Sequence, residues 1–208
     1  MSAFKISPTF LDSFEYYQSE YGATDEKRQE IIDRLRGVPI LPNQSMQFGI
    51  EFEQAVCDFL DEKKTIPIPA ENPYDDAVLE IAAIVGGARR QVYVDYPLSK
   101  AITLHGYIDF LQPDFAYDTK TTKGYEVGKY LKNMQHRAYL AGLRDQKIES
   151  FAYLVYDYSQ KEVFIEEYYW RDSIVGELRG VVDRFFAYLE FDEEMKEAFY
   201  AKQEKAAA

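Results

Sequence analysis

His105-Gly106-Tyr107-Ile108-Asp109-Phe110-Leu111-Gln112-Pro113-Asp114-Phe115-Ala116-Tyr117-Asp118-Thr119-Lys120-Thr121-Thr122 is the stretch that decides the fold. Aromatic and β-branched residues on either side of Gln112-Pro113-Asp114 read as two strands joined by a turn. A loop from Gln112 to Phe115, built on a type I turn with Pro113 in its favoured second place, sets the antiparallel register. Asp109 then lies directly opposite Asp118, with Cβ atoms about 4.5 to 5.5 Å apart on one face. Side chains alternate along a strand, so Lys120 emerges on that face while Thr119 points away. Two carboxylates so placed repel unless one is protonated or a cation sits between them. The alternative is an asymmetric or bulged loop, which splays the acids into solvent.

On either side of this stretch the period changes. Gln91 to Tyr96, Ala101 to Leu111 and Phe115 to Thr121 read as strands, and Phe151 to Tyr158 with Glu162 to Trp170 as a hairpin around Ser159-Gln160. Helical spacing predicts a helix from Ser7-Pro8, a second over Thr24 to Arg36 ended by Gly37, a third over Ser45 to Lys63 and a fourth over Tyr74 to Val85. Ile66-Pro67-Ile68-Pro69 reads as a linker, Gly124 to Leu143 as a helix, and Ser173 to about Lys202 as a C-terminal amphipathic helix with a frayed Ala tail. The sum is an α/β chain: three central strands, a helix and two more strands, with helices in front and behind.

Composition narrows the chemistry. The 208 residues carry 36 acidic and 24 basic side chains, a net charge of −12, while 47% apolar and 16% aromatic residues suffice for a core. Cys57 is the one cysteine, which excludes an intrachain disulfide, a cysteine-rich zinc site and a four-cysteine iron–sulfur cluster, and suits a reducing cytoplasm. With two histidines, His105 and His136, a metal would be held by oxygen, which favours Mg²⁺, Mn²⁺ or Ca²⁺. No run approaches the roughly 20 apolar residues of a membrane span, and the first residues lack a signal-peptide pattern. Charge is unevenly spread: between residues 119 and 147, Lys120, Lys123, Lys129, Lys132, Arg137, Arg144 and Lys147 face only Glu126 and Asp145. This basic stretch in an acidic chain offers phosphate contacts; its plainer reading is a solvated helix face. Tyrosines such as Tyr107, Tyr125 and Tyr130 are candidates to stack bases, although most of the 18 tyrosines belong to core or rim.

Gly106-Tyr107-Ile108-Asp109, then Asp118-Thr119-Lys120, then Gln135-His136-Arg137-Ala138-Tyr139 resemble in order the motifs of the PD-(D/E)xK nucleases, in their RecB-like and phage-type exonuclease branch. Gly49-Ile50-Glu51-Phe52-Glu53 offers the upstream helical glutamate, and the opening Ser7-Pro8-Thr9-Phe10-Leu11 is similar to the start of many such modules. The likeness covers roughly residues 7 to 170. It implies a restriction-endonuclease-like central mixed sheet flanked by helices, in a single domain. Within it a helical N-terminal part spans about 7–88, a catalytic core about 89–170 and a C-terminal helix about 173–203.

By the same resemblance, Asp109, Asp118 and the Thr119 carbonyl are metal ligands with Glu53 completing the set. Glu51 is the other candidate, pointing about 200° round the helix. Lys120 would polarise water or stabilise the charged transition state. Gln135 and Tyr139, with Lys123, Lys132 and Arg137, would position DNA. The activity implied is an Mg²⁺-dependent deoxyribonuclease, with Mn²⁺ as a substitute and no iron–sulfur cluster, most simply an exonuclease in recombination, repair or phage DNA processing. Two other readings remain open: a degenerate nuclease fold serving as a binding or scaffold subunit, and a structure-specific endonuclease. Implied partners are DNA and a recombination or annealing protein, in the cytoplasm of a bacterial or phage-infected cell, and the resemblance admits a ring-shaped oligomer. No helicase phosphate loop occurs, so motor activity would come from a partner.

Overall fold

Ser7 opens the first helix by accepting the Phe10 N–H on its hydroxyl at 3.2 Å, with Pro8 in the first turn. A computed structural model of the chain describes residues 4–62 and 75–207. Along it run β1 (Phe4–Ile6), α1 (Pro8–Tyr17), α2 (Asp25–Arg36), α3 (Gln44–Glu62), α4 (Asp75–Val85), β2 (Arg89–Pro97), β3 (Ile102–Leu111), β4 (Phe115–Thr122), α5 (Met134–Leu143), β5 (Ser150–Asp157), β6 (Glu162–Tyr169), α6 (Ser173–Leu189) and α7 (Glu193–Ala207). The expected linker Ile66–Pro69 lies outside the described residues. Gly37 closes α2 in the left-handed conformation, φ 73°, where a side chain would be strained.

The strands form one six-stranded mixed sheet. β4 and β5 run parallel along their full length, linked by α5, while β2 with β3, β3 with β4 and β5 with β6 are antiparallel. β1, a strand with no expectation behind it, pairs parallel with the start of β3. Residues of β5 alternate between two apolar layers. Phe151, Tyr153 and Val155 join α1, α5, α6 and α7, whereas Ala152, Leu154 and Tyr156 join α3 and α4. The α3–α4 layer reaches β4, β5, β6 and the end of β3 at Phe110. On that side Tyr93 of β2 and Tyr107 of β3 stay exposed.

Two expectations are corrected. The segment read as a helix from Gly124 is turns and loop up to Asn133, because Gly124 and Gly128 take left-handed backbones, φ 112° and 84°. Only Met134–Leu143 is helical. The C-terminal helix is two helices, broken after Glu190. Asp192 accepts the Met195 N–H at 3.0 Å to start α7, and is itself held by Arg28 through two bonds of 2.7 Å.

Candidate active site

The site is built around a fork in the sheet. β3 and β4 pair next to their turn, Phe110 opposite Tyr117 and Leu111 opposite Ala116, the register that the turn dictates. There the ladder ends, so Asp109 and Asp118 are not ladder partners, contrary to the face-to-face pairing expected of them. Asp109 turns its carboxylate into the gap, where Oδ2 accepts from the Thr119 N–H at 2.8 Å and from the Thr119 hydroxyl at 3.0 Å. β2 loosens at the same level. Between the pairs Arg90–Phe110 and Val92–Ile108, Gln91 adopts a left-handed backbone with φ 47°. This costs a residue with a side chain about 1–2 kcal/mol. The distortion brings the Gln91 amide to Glu53 Oε1 at 2.6 Å and within 3.4 Å of Asp109 Oδ1, between two carboxylates.

Asp118 is 2% exposed, because α5 closes over it: Gln135 Nε2 donates to its Oδ1 at 2.6 Å. Its Oδ2 faces the Lys120 ammonium in an ion pair and meets no other donor among the described residues. Lys120 also lies over the Tyr153 ring, 5.5 Å from the centroid. Glu53 is the carboxylate of α3 that joins this cluster, flanked by Phe52 and Val56, which are fully buried. Glu51 is exposed and accepts from Gln47 at 2.8 Å, so the helix turns it away.

Electrostatics follow from the crowding. Burial, then Asp118 and Glu53, push the Asp109 carboxyl well above the usual range. Burial raises Asp118 as well, against the opposing pull of Lys120 and Gln135, and burial with Asp118 raises Glu53. For Lys120 burial favours the neutral amine, but Asp118 and Asp109 outweigh it and hold the group up. Lys120 is therefore a fixed positive charge rather than a base at neutral pH.

Gln135 and Tyr139 share one face of α5 and look back at the strands. Both are engaged by protein groups: the Tyr139 hydroxyl donates to the Tyr107 carbonyl at 2.8 Å. It does so across Gly106, where a Cβ would lie 2.7 Å from the Tyr139 oxygen. Of the expected DNA-positioning cations, Lys123 and Lys132 are exposed on the 123–133 loop, not on a helix. Arg137 does not reach the site. Its buried guanidinium donates to the carbonyls of Leu131, Lys132 and Asn133 at 2.7 to 3.0 Å and pairs with Glu177 at 2.8 Å, fastening that loop to α5 and α6. Asp157 anchors the other end of the loop by accepting the Tyr125 N–H at 2.7 Å.

Sequence reasoning missed two members. Gln91 gives no signal, being one polar residue in an alternating strand. Asp12 of α1 accepts the Met134 N–H, capping α5 from another helix, and its charge acts on Lys120. An acid beside the apolar positions Phe10, Leu11 and Phe14 was the faint clue. Among the described residues, no three acidic, imidazole or thiol groups form a closed ligand set. The donors gathered at the fork are nonetheless all oxygen, and the Asp118 Oδ2, with only Lys120 beside it, is the buried acceptor that suits a hard cation.

No family model matches the chain, and no curated protein matches it significantly. Among solved structures, LHK-Exo in complex with dAMP superposes at a TM-score of 0.55 with 18% identity, over 98% of this chain and 94% of that chain. SSO0001 superposes at 0.47 with 14% identity, over 88% of this chain and 77% of that chain. The chain has the restriction-endonuclease-like fold. Its fork between β3 and β4, with α3 on one side and α5 on the other, is where that fold gathers the chain's acidic cluster. No described helix is long and apolar enough to cross a membrane.

Proposed function

We propose that the chain is a metal-dependent deoxyribonuclease, acting as an exonuclease in recombination, repair or phage DNA processing. The observation that carries this reading is the convergence of Glu53, Asp109 and Asp118, from three elements, beside the Lys120 ammonium. Carboxylates that raise one another's pKa gain by sharing a cation, and perturbed acids in a cleft mark sites of chemistry. The likeness to LHK-Exo, by its name an exonuclease, and the dAMP bound to that protein support the same direction.

In this reading Glu53, Asp109, Asp118 and the Thr119 carbonyl hold Mg²⁺, or Mn²⁺ in its place. Bound there, the ion supplies an acidified water and neutralises charge on the scissile phosphate. Gln135 fixes the Asp118 carboxylate, Gln91 spaces Glu53 from Asp109, and Lys120 stabilises negative charge developing on the phosphoryl oxygens. The exposed Lys123 and Lys132, with Lys129, give salt-dependent, sequence-independent hold on the backbone. Asp118→Asn is expected to abolish Mg²⁺-dependent degradation of linear DNA; full activity in that variant refutes the mechanism. Digestion of linear but not covalently closed DNA marks the exonuclease, and cleavage of closed circles the endonuclease.

One observation favours the rival scaffold reading: Thr119, Gln91, Gln135 and Lys120 already occupy oxygens of the three acids. Calorimetry with Mn²⁺ separates the two. Binding that Asp109→Asn removes supports the enzyme, and no binding at millimolar metal supports the scaffold.

A further inference from the structure

Tyr93 and Tyr107 form a cross-strand pair, register partners on β2 and β3, with rings edge to face at 5.4 Å. Their exposures are 42% and 56%, high for tyrosines in the middle of strands. The orientation is imposed from behind. Val92, Val94 and Ile108 pack into the α1–α5–α6 core, so alternation drives the two rings to the opposite side of the sheet. That is the side of α3, the helix carrying Glu53, at the part of the sheet which the α3–α4 layer does not reach. Other tyrosines near the site are spent internally: Tyr125 donates to Glu166 at 2.8 Å and stacks on Phe164, and Tyr130 packs on Tyr153. Tyr139 is tied to the Tyr107 carbonyl.

Position and charge say what this pair is suited to hold. Each tyrosine lies two residues from a residue of the site, Tyr93 from Gln91 and Tyr107 from Asp109. Beyond the rings stands one cation. Lys5 of β1 stands 5.9 Å above the Tyr93 ring, and His105 follows Tyr107 on the same face of β3, opposite Asp95. Lys5 and His105 also border a cavity of about 590 Å³ whose wall is mostly apolar, with Ile6, Phe10, Leu35 and Phe199 of the opposite layer among its lining. Two exposed aromatic rings followed by the Lys5 ammonium, in line with the acidic cluster, suit a strand that offers π-faces and a phosphate to the same surface.

We infer that the exposed face around Tyr93 and Tyr107 is a track for unpaired DNA, with bases stacked on the two rings and phosphates led toward Lys5. The inference rests on the nuclease reading and adds to it a preference for a single strand next to the site. A duplex keeps its base faces covered, so only an unpaired segment can use the rings.

The test is binding without catalysis: anisotropy of fluorescein-labelled oligothymidylate, and of the corresponding duplex, with full-length protein in EDTA. Tyr93→Ala and Tyr107→Ala are expected each to weaken single-strand binding by about 5- to 150-fold, while leaving duplex binding nearly unchanged. Tyr93→Phe and Tyr107→Phe keep the π-face and are expected to bind as the parent does. Far-ultraviolet circular dichroism checks that the alanine variants fold. Alanine variants that bind the oligothymidylate like the parent overturn the inference, as does a parent that binds only duplex. A parent that binds the single strand through these rings but cleaves nothing under Mg²⁺ leaves the track standing and fails the nuclease reading instead.

Discussion

The Asp109 carboxylate accepts the Thr119 amide proton at 2.8 Å, standing where a carbonyl of β3 would continue the ladder. One side chain thus both ends the pairing of two strands and supplies an acid to the cluster. Asp109→Asn keeps an oxygen for that proton and is expected to fold with little loss. Asp109→Ala leaves the amide unpaired and should cost about 1–3 kcal/mol of stability. Both are expected to lose DNA cleavage by about 10²–10³-fold or more. Urea denaturation alongside a nuclease assay separates the two effects.

Gln135 holds the buried oxygen of Asp118 at 2.6 Å. Gln135→Ala is expected to lower kcat by about 10²-fold through misplacement of that carboxylate, with KM for DNA almost unchanged. A KM effect without a kcat effect would mean instead that Gln135 touches the substrate.

Gly106 and Tyr139 are coupled by contact. Gly106→Ala puts a methyl group 2.7 Å from the Tyr139 hydroxyl and is expected to destabilise by about 1–3 kcal/mol. In a Tyr139→Ala background the same change is expected to cost far less. A double-mutant cycle with additive values would refute the contact.

Half-buried Asp12 and buried His136 set opposing pH limbs. Burial raises Asp12 to about 6 from 3.8, so the folded state binds its proton more tightly than the unfolded one. Its contribution to stability is full below about pH 4 and is lost as pH rises through about 6, amounting to about 3 kcal/mol. Burial, aided by Arg137, lowers His136 to about 3 from 6.5. That contribution is full above about pH 6.5 and is lost as pH falls toward 3. Asp12→Asn is expected to flatten the rising-pH limb and to stabilise the protein at neutral pH, whereas His136→Phe flattens the acid limb. Urea midpoints across about pH 3 to 8 check both signs.

Most of this architecture was legible because it depends on local pattern. Ser7-Pro8, Gly37 and the Gln112–Phe115 turn punctuate the chain through their own backbone chemistry, and the turn even set the register of Phe110 with Tyr117. What stayed hidden depends on tertiary partners. The loop from Lys123 to Asn133 carries helix-like spacing, but Asp157 and Arg137 hold it open from distant elements. Lys123 and Lys132 share a basic stretch with Arg137, yet only Arg137 is buried, a distinction made by Glu177 on α6. The choice of Glu53 over Glu51 needed the sheet against which α3 packs. Gln91 was invisible because its role comes from a backbone conformation that no residue type announces.

The fork has an evolutionary corollary. Because Asp109 plugs a gap in the sheet as well as serving the acidic cluster, a lineage that abandoned hydrolysis would still be selected to keep an oxygen there. Asparagine is the replacement that such selection tolerates, whereas Lys120 and the buried Asp118 are each other's charge partner and are tolerated only when replaced together. Descendants of this chain should therefore replace the Asp118–Lys120 pair as a unit while an oxygen-bearing side chain persists at position 109.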